Sequence, residues 1–126
     1  MSHDVVADGL NMIKNARDAK REGVKINRIS NLFIEILKIM KQEGLIKKYK
    51  INPKEKSIEI TIGNLMDCKA IKPRFTVTKS QIEKYRRRYL PSRNLGTVVV
   101  STNKGLMTHK EAQEEGIGGC LIAYFY

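Results

Sequence analysis

Groups able to hold a metal or carry out covalent chemistry are scarce in this chain. Its 126 residues include two cysteines, Cys68 and Cys120, and two histidines, His3 and His109. They form no CxxC pair and show no zinc-ligand spacing. Small buried or half-buried side chains are therefore the expected role of the thiols. A disulfide is not expected in a reducing compartment. No stretch approaches the roughly 18 consecutive apolar residues of a membrane span. The opening MSHDVVADGLNMIKNA is amphipathic and contains acids. It lacks the basic n-region and continuous apolar h-region of a signal peptide, so a cytosolic address is expected. Walker loops, GxGxxG turns and nucleophile elbows are missing too, as are internal repeats and long low-complexity tracts.

Acidic residues are scarce in one segment. Overall, 24 Lys and Arg stand against 13 Asp and Glu, a formal net charge of +11. Residues 1–68 hold 13 basic and 9 acidic side chains, and residues 94–126 hold 2 and 3. Residues 69–93 hold 9 basic ones (Lys69, Lys72, Arg74, Lys79, Lys84, Arg86, Arg87, Arg88 and Arg93) and a single acid, Glu83. A block of that density suits a polyanion, through phosphate neutralisation and counterion release. It favours nucleic acid over a merely solubilising surface. With 41% hydrophobic residues the chain is expected to fold, and its length can bury a core without staples. One compact unit, or two small subdomains sharing an interface, fits 126 residues.

Periodicity lays out the elements. Asp4 can cap a first helix whose apolar residues Val6, Leu10, Ile13 and Ala16 keep the helical period and which fades near Glu22–Gly23. Val24 to Asn27 is extended. Ser30 or Asn31 starts a second helix with Leu32, Phe33, Ile36, Leu37 and Met40 on its apolar face and Gly44 as its stop. Leu45 to Ile51 reads as a strand and Asn52-Pro53-Lys54 as a turn. Ser57 to Gly63 alternates at Ile58, Ile60 and Ile62, the pattern of a half-buried strand. Beyond Asn64 the stretch KAIKPRFTVT holds Pro73, which restricts Arg74 to Val77 to an edge strand. Ser80 and Glu83 have capping-box spacing for a short helix carrying Tyr85 and Tyr89, ended by Leu90-Pro91. A strand follows from Gly96 to Thr102, then a turn at Asn103-Lys104-Gly105. A second capping box, Thr108 and Glu111, opens a helix that Gly116 closes. Cys120 to Tyr126 is the last strand. The fold class is α+β: a helix-strand-helix-hairpin subdomain at residues 1–66 and a mostly β subdomain with short helices at residues 67–126.

The strand exit Ser101-Thr102-Asn103-Lys104-Gly105 stands out for binding. Hydroxyls and an amide on a stiff strand can bond base edges, sugars and phosphates, although the same residues also make ordinary turns. Arg86 to Arg88 can neutralise phosphate or simply cover surface. Tyr85 and Tyr89 can stack on bases or pack half-buried. Gly118-Gly119 either lets a ligand approach the backbone closely or bends the chain into the last strand. His109 has no nucleophile paired with it, and catalysis is not expected there. Lys72 and Arg74 flank Pro73, which stiffens the local backbone, and are the best phosphate candidates. Lys14, Asn15 and Arg17 on the first helix can also bind backbone.

The order VVVSTNKGLMTHKEA, then GIGGCLIAYFY with its aromatic end, closely resembles one family: universal ribosomal protein number eight of the small subunit. Its signature is an apolar strand, Ser-Thr-Ser-x-Gly, an apolar pair, Thr-Asp/His, Glu-Ala and Gly-Gly. Here it reads Ser101 to Gly105, Leu106-Met107-Thr108-His109, Glu111-Ala112, Gly118-Gly119 and Tyr124-Phe125-Tyr126. Ala7-Asp8, Leu10, Ile13 and Asn15-Ala16 match the family's opening helix. CKAIKPRF and YLPSRN resemble the archaeal and eukaryotic branch. The resemblance implies two tightly associated subdomains and a non-catalytic, cofactor-free protein. It also implies primary binding to the central domain of small-subunit rRNA, help in assembling the platform, neighbouring ribosomal proteins as partners, and a cytoplasmic place in the small subunit. Carried over by position, it assigns RNA contacts to Ser101, Thr102, Lys104 and Gly105; Gly119 is a further RNA-binding candidate. Asn103 stands where the family has a hydroxyl residue and brings an amide of different geometry. Translational control of a message that mimics the rRNA site is a related alternative. A DNA- or chromatin-binding protein and an enzyme of RNA metabolism are the others. The first lacks a helix-turn-helix or zinc module, and the second lacks a positioned acid–base pair or carboxylate cluster.

Overall fold

The computed structural model describes residues 4–92 and 94–126; His3, and Arg93 of the basic block, lie outside them. Helix α1 (Val5–Asp18) starts where Asp4 Oδ1 accepts the Val6 and Ala7 amides at 3.0 and 3.2 Å. That bond satisfies two of the donors a helix N-terminus leaves open. Val6, Gly9, Leu10, Ile13 and Ala16 are buried at the expected spacing. Helix α2 (Asn31–Gln42) starts at Ser30, whose Oγ accepts the Phe33 amide at 3.1 Å, and buries Phe33, Ile36, Leu37 and Met40. The two helices meet where Phe33 packs over Gly9. A Cβ on Gly9 would lie 2.5 Å from the ring, so the glycine provides the space.

Three of the helices end in the same way. After α2, Gly44 (φ 77°) donates to the Lys41 carbonyl and Leu45 to that of Met40. After helix α4 (His109–Glu115), Gly116 (φ 68°) donates to Gln113 and Ile117 to Ala112. Both are the glycine-based C-terminal motif predicted from sequence. Helix α1 uses the identical pair of bonds, Lys20 to Arg17 and Arg21 to Ala16, with Lys20 itself at φ 59°. It therefore stops at Asp18, short of the Glu22–Gly23 predicted. The stop was invisible because a lysine occupies the left-handed position that glycine usually marks.

The first compact unit, Met1–Cys68, carries a three-stranded antiparallel sheet. Its strands are β1 (Gly23–Ile26), β2 (Ile46–Asn52) and β3 (Ser57–Ile62), in the order β1-β3-β2. The register sets Ile26, Ile58 and Ile51 side by side, and Val24, Ile60 and Tyr49 beside them. This is the alternation read in SIEITIG, with β3 central and Ile58 and Ile60 fully buried. Asn52 Oδ1 closes the hairpin by accepting the Lys54 amide at 3.2 Å.

The second unit, Lys69–Tyr126, is built on β8 (Gly119–Phe125). Strand β6 (Thr97–Thr102) takes one edge of β8, and β7 (Gly105–Thr108) pairs with β6. The other edge of β8 is shared by two short strands, β4 (Cys68–Ala70) and β5 (Thr76–Val77). Pro73, after a cis peptide, falls between them. The edge strand predicted over Arg74–Val77 is thus only Thr76–Val77. Strands β4 and β7 were not foreseen, because three or four residues are too few to show a period. Val98, Val100, Met107, Leu121, Ile82, Leu90 and Ala112 pack as one core, with Tyr85, Tyr89 and Tyr124 against it.

Helix α3 (Ile82–Tyr89) corrects the reading of Ser80 as its N-cap. Gln81 holds that position without a side-chain cap bond. The chain enters through a turn in which Gln81 Oε1 accepts the Thr78 amide at 2.9 Å and Ser80 Oγ bonds Thr78 Oγ1. Glu83 cannot complete a capping box because its Oε1 is held by Arg86.

Replacing Lys20 by glycine relieves the left-handed strain and stabilises the chain by about 0.5–1 kcal/mol. An increase in the urea midpoint with unchanged slope is the expected result.

Candidate nucleic-acid interface

Ser101 and Thr102 end β6, Asn103 and Lys104 form the turn, and Gly105 opens β7. The hairpin is held from within. Thr102 Oγ1 donates to the Gly105 carbonyl at 2.8 Å and accepts the Lys104 amide at 3.1 Å. Gly105 takes the positive φ of 108° that closes the turn onto β7. The Thr102 hydroxyl is therefore chiefly a turn former, and Asn103 and Lys104 are left exposed at the tip. Lys104 Nζ lies 3.6 Å from Glu115 at the far end of α4, an exposed pair that exchanges readily with other anions. Ser101 is half-buried, in register with Leu106 on β7 and Cys120 on β8.

Gly119 is brought against this hairpin. A Cβ there would lie 2.3 Å from the Ser101 carbonyl oxygen, and one on Gly118 would lie 2.3 Å from that of Val77. The two glycines are where β8 passes between β5 and β6. The sequence left a ligand's approach or a bend open here; what the glycines make room for is the backbone of the neighbouring strands.

Lys72 and Arg74 are exposed on the segment joining β4 and β5. Arg86 does not belong to the exposed cationic surface. It is 7% exposed, and its Nε and Nη2 donate to Glu83 Oε1 at 2.9 and 2.8 Å. One arginine of three successive ones on an eight-residue helix has to point inward, and it takes along the only acid of the block. Arg88 lies 5.4 Å from the Tyr85 ring centroid and Lys84 lies 5.8 Å from it. Tyr85 packs on Phe75 with centroids 4.9 Å apart, and Tyr89 stacks on Tyr124 at 5.1 Å. Both tyrosines are packing residues.

In the first unit, Lys14 Nζ is 2.9 Å from Asp67. Arg17 Nε donates to the Leu65 carbonyl at 3.0 Å, and its Nη1 lies 3.2 Å from Asp18. Asn15 is exposed. The bonds to Asp67 and Leu65 tie α1 to the segment after β3, a role the sequence reading missed because those two partners lie some fifty residues downstream in the chain.

His109 is the other functional-looking residue, and its place is structural. It is 1% exposed, and its Nδ1 accepts the Val98 amide at 3.1 Å. Strands β6 and β7 pair up to Val99 and Thr108, where the chain turns into α4. The imidazole thus receives the next β6 amide in place of a β7 carbonyl. Burial, then Lys110 and Arg86, lower its pKa to about 4, so the ring is neutral. The thiol of Cys68 is pushed up to about 12, chiefly by burial, and is no nucleophile. Among the described residues there is no His/Cys/Asp/Glu cluster able to hold a metal, and no helix is long and apolar enough to cross a membrane.

The two units, each with an antiparallel sheet, and the excess of basic side chains define a class, the small basic α+β proteins. The chain belongs to the ribosomal protein S8 family, whose model matches residues 4–126. Over the full length of both chains it is 45% identical to the small ribosomal subunit protein uS8 of Nanoarchaeum equitans. Over the same full coverage it is 38% identical to that of Picrophilus torridus and 37% to that of Archaeoglobus fulgidus. Membership of this family makes it a structural protein, not an enzyme.

The buried imidazole makes stability depend on pH. The unfolded ring takes up a proton near 6.5 and the folded ring only near 4, so the native state loses stability as pH falls from 6.5 to 4 and keeps it above 6.5. His109→Asn retains a side-chain acceptor for the Val98 amide and does not titrate. Urea titrations should show a shallower loss in this variant than in the parent over that interval.

Proposed function

We propose that this chain is a structural component of the small ribosomal subunit that binds the central domain of small-subunit rRNA and helps assemble the platform. Neighbouring ribosomal proteins are its other partners. The observation that carries the reading is the β6–β7 hairpin, a turn fixed by Thr102 and Gly105 that leaves Asn103 and Lys104 exposed beside the half-buried Ser101. A prepaid turn binds at low ordering cost. An A-form RNA major groove is too deep and narrow for side chains. A specific reader therefore uses distorted helices and the shallow groove with its 2′-hydroxyls, where short polar side chains on a stiff strand reach. In this reading Ser101 and Asn103 contact base edges and sugars. Lys104 neutralises phosphate, and Thr102 and Gly105 set the geometry. Gly119 keeps β8 close to Ser101 without covering it.

Lys72 and Arg74 supply further phosphate contacts. Lys14, Asn15 and Arg17 add backbone contacts from the first unit, where Lys14 and Arg17 exchange partly exposed intramolecular ion pairs for phosphate. The names of the relatives, all small ribosomal subunit proteins, support the same assignment.

A titration at fixed salt against an rRNA central-domain fragment, with a scrambled-loop RNA as competitor, tests the reading. Tight binding that survives the competitor is expected; equal affinity for both RNAs would overturn it. In that assay Ser101→Ala and Asn103→Ala each weaken the cognate RNA by about 1 kcal/mol, roughly fivefold, and leave the scrambled RNA unaffected. Lys72→Gln and Arg74→Gln instead weaken both RNAs alike. Each also reduces the slope of log affinity against log salt by about 1, read from a salt series.

A further inference from the structure

The second unit contains a cavity of about 210 Å³ lined by Glu83, Arg86, Asn94, His109, Lys110 and Gln113. His109 supplies its most unusual feature. Because Nδ1 accepts the Val98 amide, the single proton of the neutral ring sits on Nε2. That nitrogen is buried and has no hydrogen-bond partner among the described residues. A buried donor left in this state is costly, so it is a feature in want of an acceptor.

The charges around it say which acceptor. Among the described residues two cations line the cavity, the buried Arg86 and the exposed Lys110. The one carboxylate, Glu83, is already used: Oε1 accepts from Arg86 and lies 3.8 Å from Arg87, and Oε2 accepts the Gln113 amide at 3.3 Å. The lining therefore has positive charge and N–H donors in excess. A water or a neutral carbonyl would satisfy the imidazole and leave the cationic surplus unanswered. An anion with several acceptor oxygens satisfies both.

We propose that this cavity between α3 and α4 binds a phosphate-type oxyanion, held by His109 Nε2–H together with Arg86, Lys110 and Gln113. The ligand is either a backbone phosphate of RNA or free phosphate. The site stands apart from the hairpin residues and does not depend on their reading RNA. A bound anion also explains why a ring with a low pKa is kept among cations: without the anion it has to stay neutral, and with the anion it need not.

The test reads the ring directly. The imidazole ¹⁵N and ¹H resonances of His109 are assigned against His3 by their loss in His109→Asn, and inorganic phosphate is titrated at constant ionic strength against chloride. A saturable shift of Nε2 is expected, with a rise of the His109 pKa above its value of about 4. The variant Lys110→Gln/Gln113→Ala changes two exposed residues and is checked for folding by circular dichroism. It should weaken phosphate by about tenfold, as loss of a charge-assisted contact does. If that double variant does not fold, Lys110→Gln alone takes its place. No shift, a shift matched by chloride, or a shift unaffected by the variant overturns the site. An rRNA fragment that produces the same shift identifies the ligand as backbone phosphate. Phosphate acting without such an RNA effect identifies a free-anion site. A shift with RNA alone overturns the proposal, as an effect of binding elsewhere.

Discussion

The second unit depends on one steric condition: β8 must run with no side chain at its first residue or at the residue before it. Gly118 faces the Val77 carbonyl and Gly119 the Ser101 carbonyl, each at 2.3 Å from where a Cβ would stand. Any larger residue would push β8 away from β5 on one side or from β6 on the other. Strand β8 is the only one of the described strands that pairs with β4, β5 and β6, so the whole five-stranded sheet rests on that passage. The same condition shapes the polar hairpin. Ser101 keeps its place at the end of β6 because the strand beside it presents backbone there instead of a side chain.

Charge in this protein is divided between two uses. The block at residues 69–93 looked like one cationic surface, but the fold removes part of it. Arg86 goes inside with Glu83 as a short, doubly donated ion pair, and Lys84 and Arg88 lie against the Tyr85 ring. A buried pair of this sort contributes little net stability, yet breaking it is costly, so it fixes the orientation of α3 more than it strengthens the unit. The cations of the block that stay exposed include Lys72 and Arg74 on the segment between β4 and β5 and Lys84, Arg87 and Arg88 on α3. A stiff scaffold holds those at low entropic cost.

The imidazole of His109 links the hairpin to the helix that follows it. It ends the β6–β7 ladder by accepting the Val98 amide while occupying the first position of α4. A residue that looks like a general base is thus a backbone ligand on one nitrogen and, on the other, a buried donor without a partner among the described residues.

Periodicity and local chemistry determined a good deal. The Val6, Leu10, Ile13, Ala16 face, the Asp4 and Ser30 caps, the Ile58-Ile60 alternation, the Thr108 cap and the Gly44 and Gly116 stops were all legible, because each depends on residues within one turn or one strand of each other. The order of residues from Val98 to Tyr126 also sufficed to point to the family. Only the tertiary structure decided the rest. It placed a helix stop on Lys20, where the chain direction needed for β1 overrides the residue's preference. It turned Gly118-Gly119 into a strand crossing, buried Arg86, gave Glu83 to it in place of Ser80, and assigned the Thr102 hydroxyl to its own turn. The crossing at Gly118-Gly119 and the burial of Arg86 depend on segments far apart in the chain, which no window of neighbouring residues contains. The Lys20 stop, the Arg86–Glu83 pair and the Thr102 turn are local contacts, but each residue had more than one local partner open to it, and the folded chain selects among them.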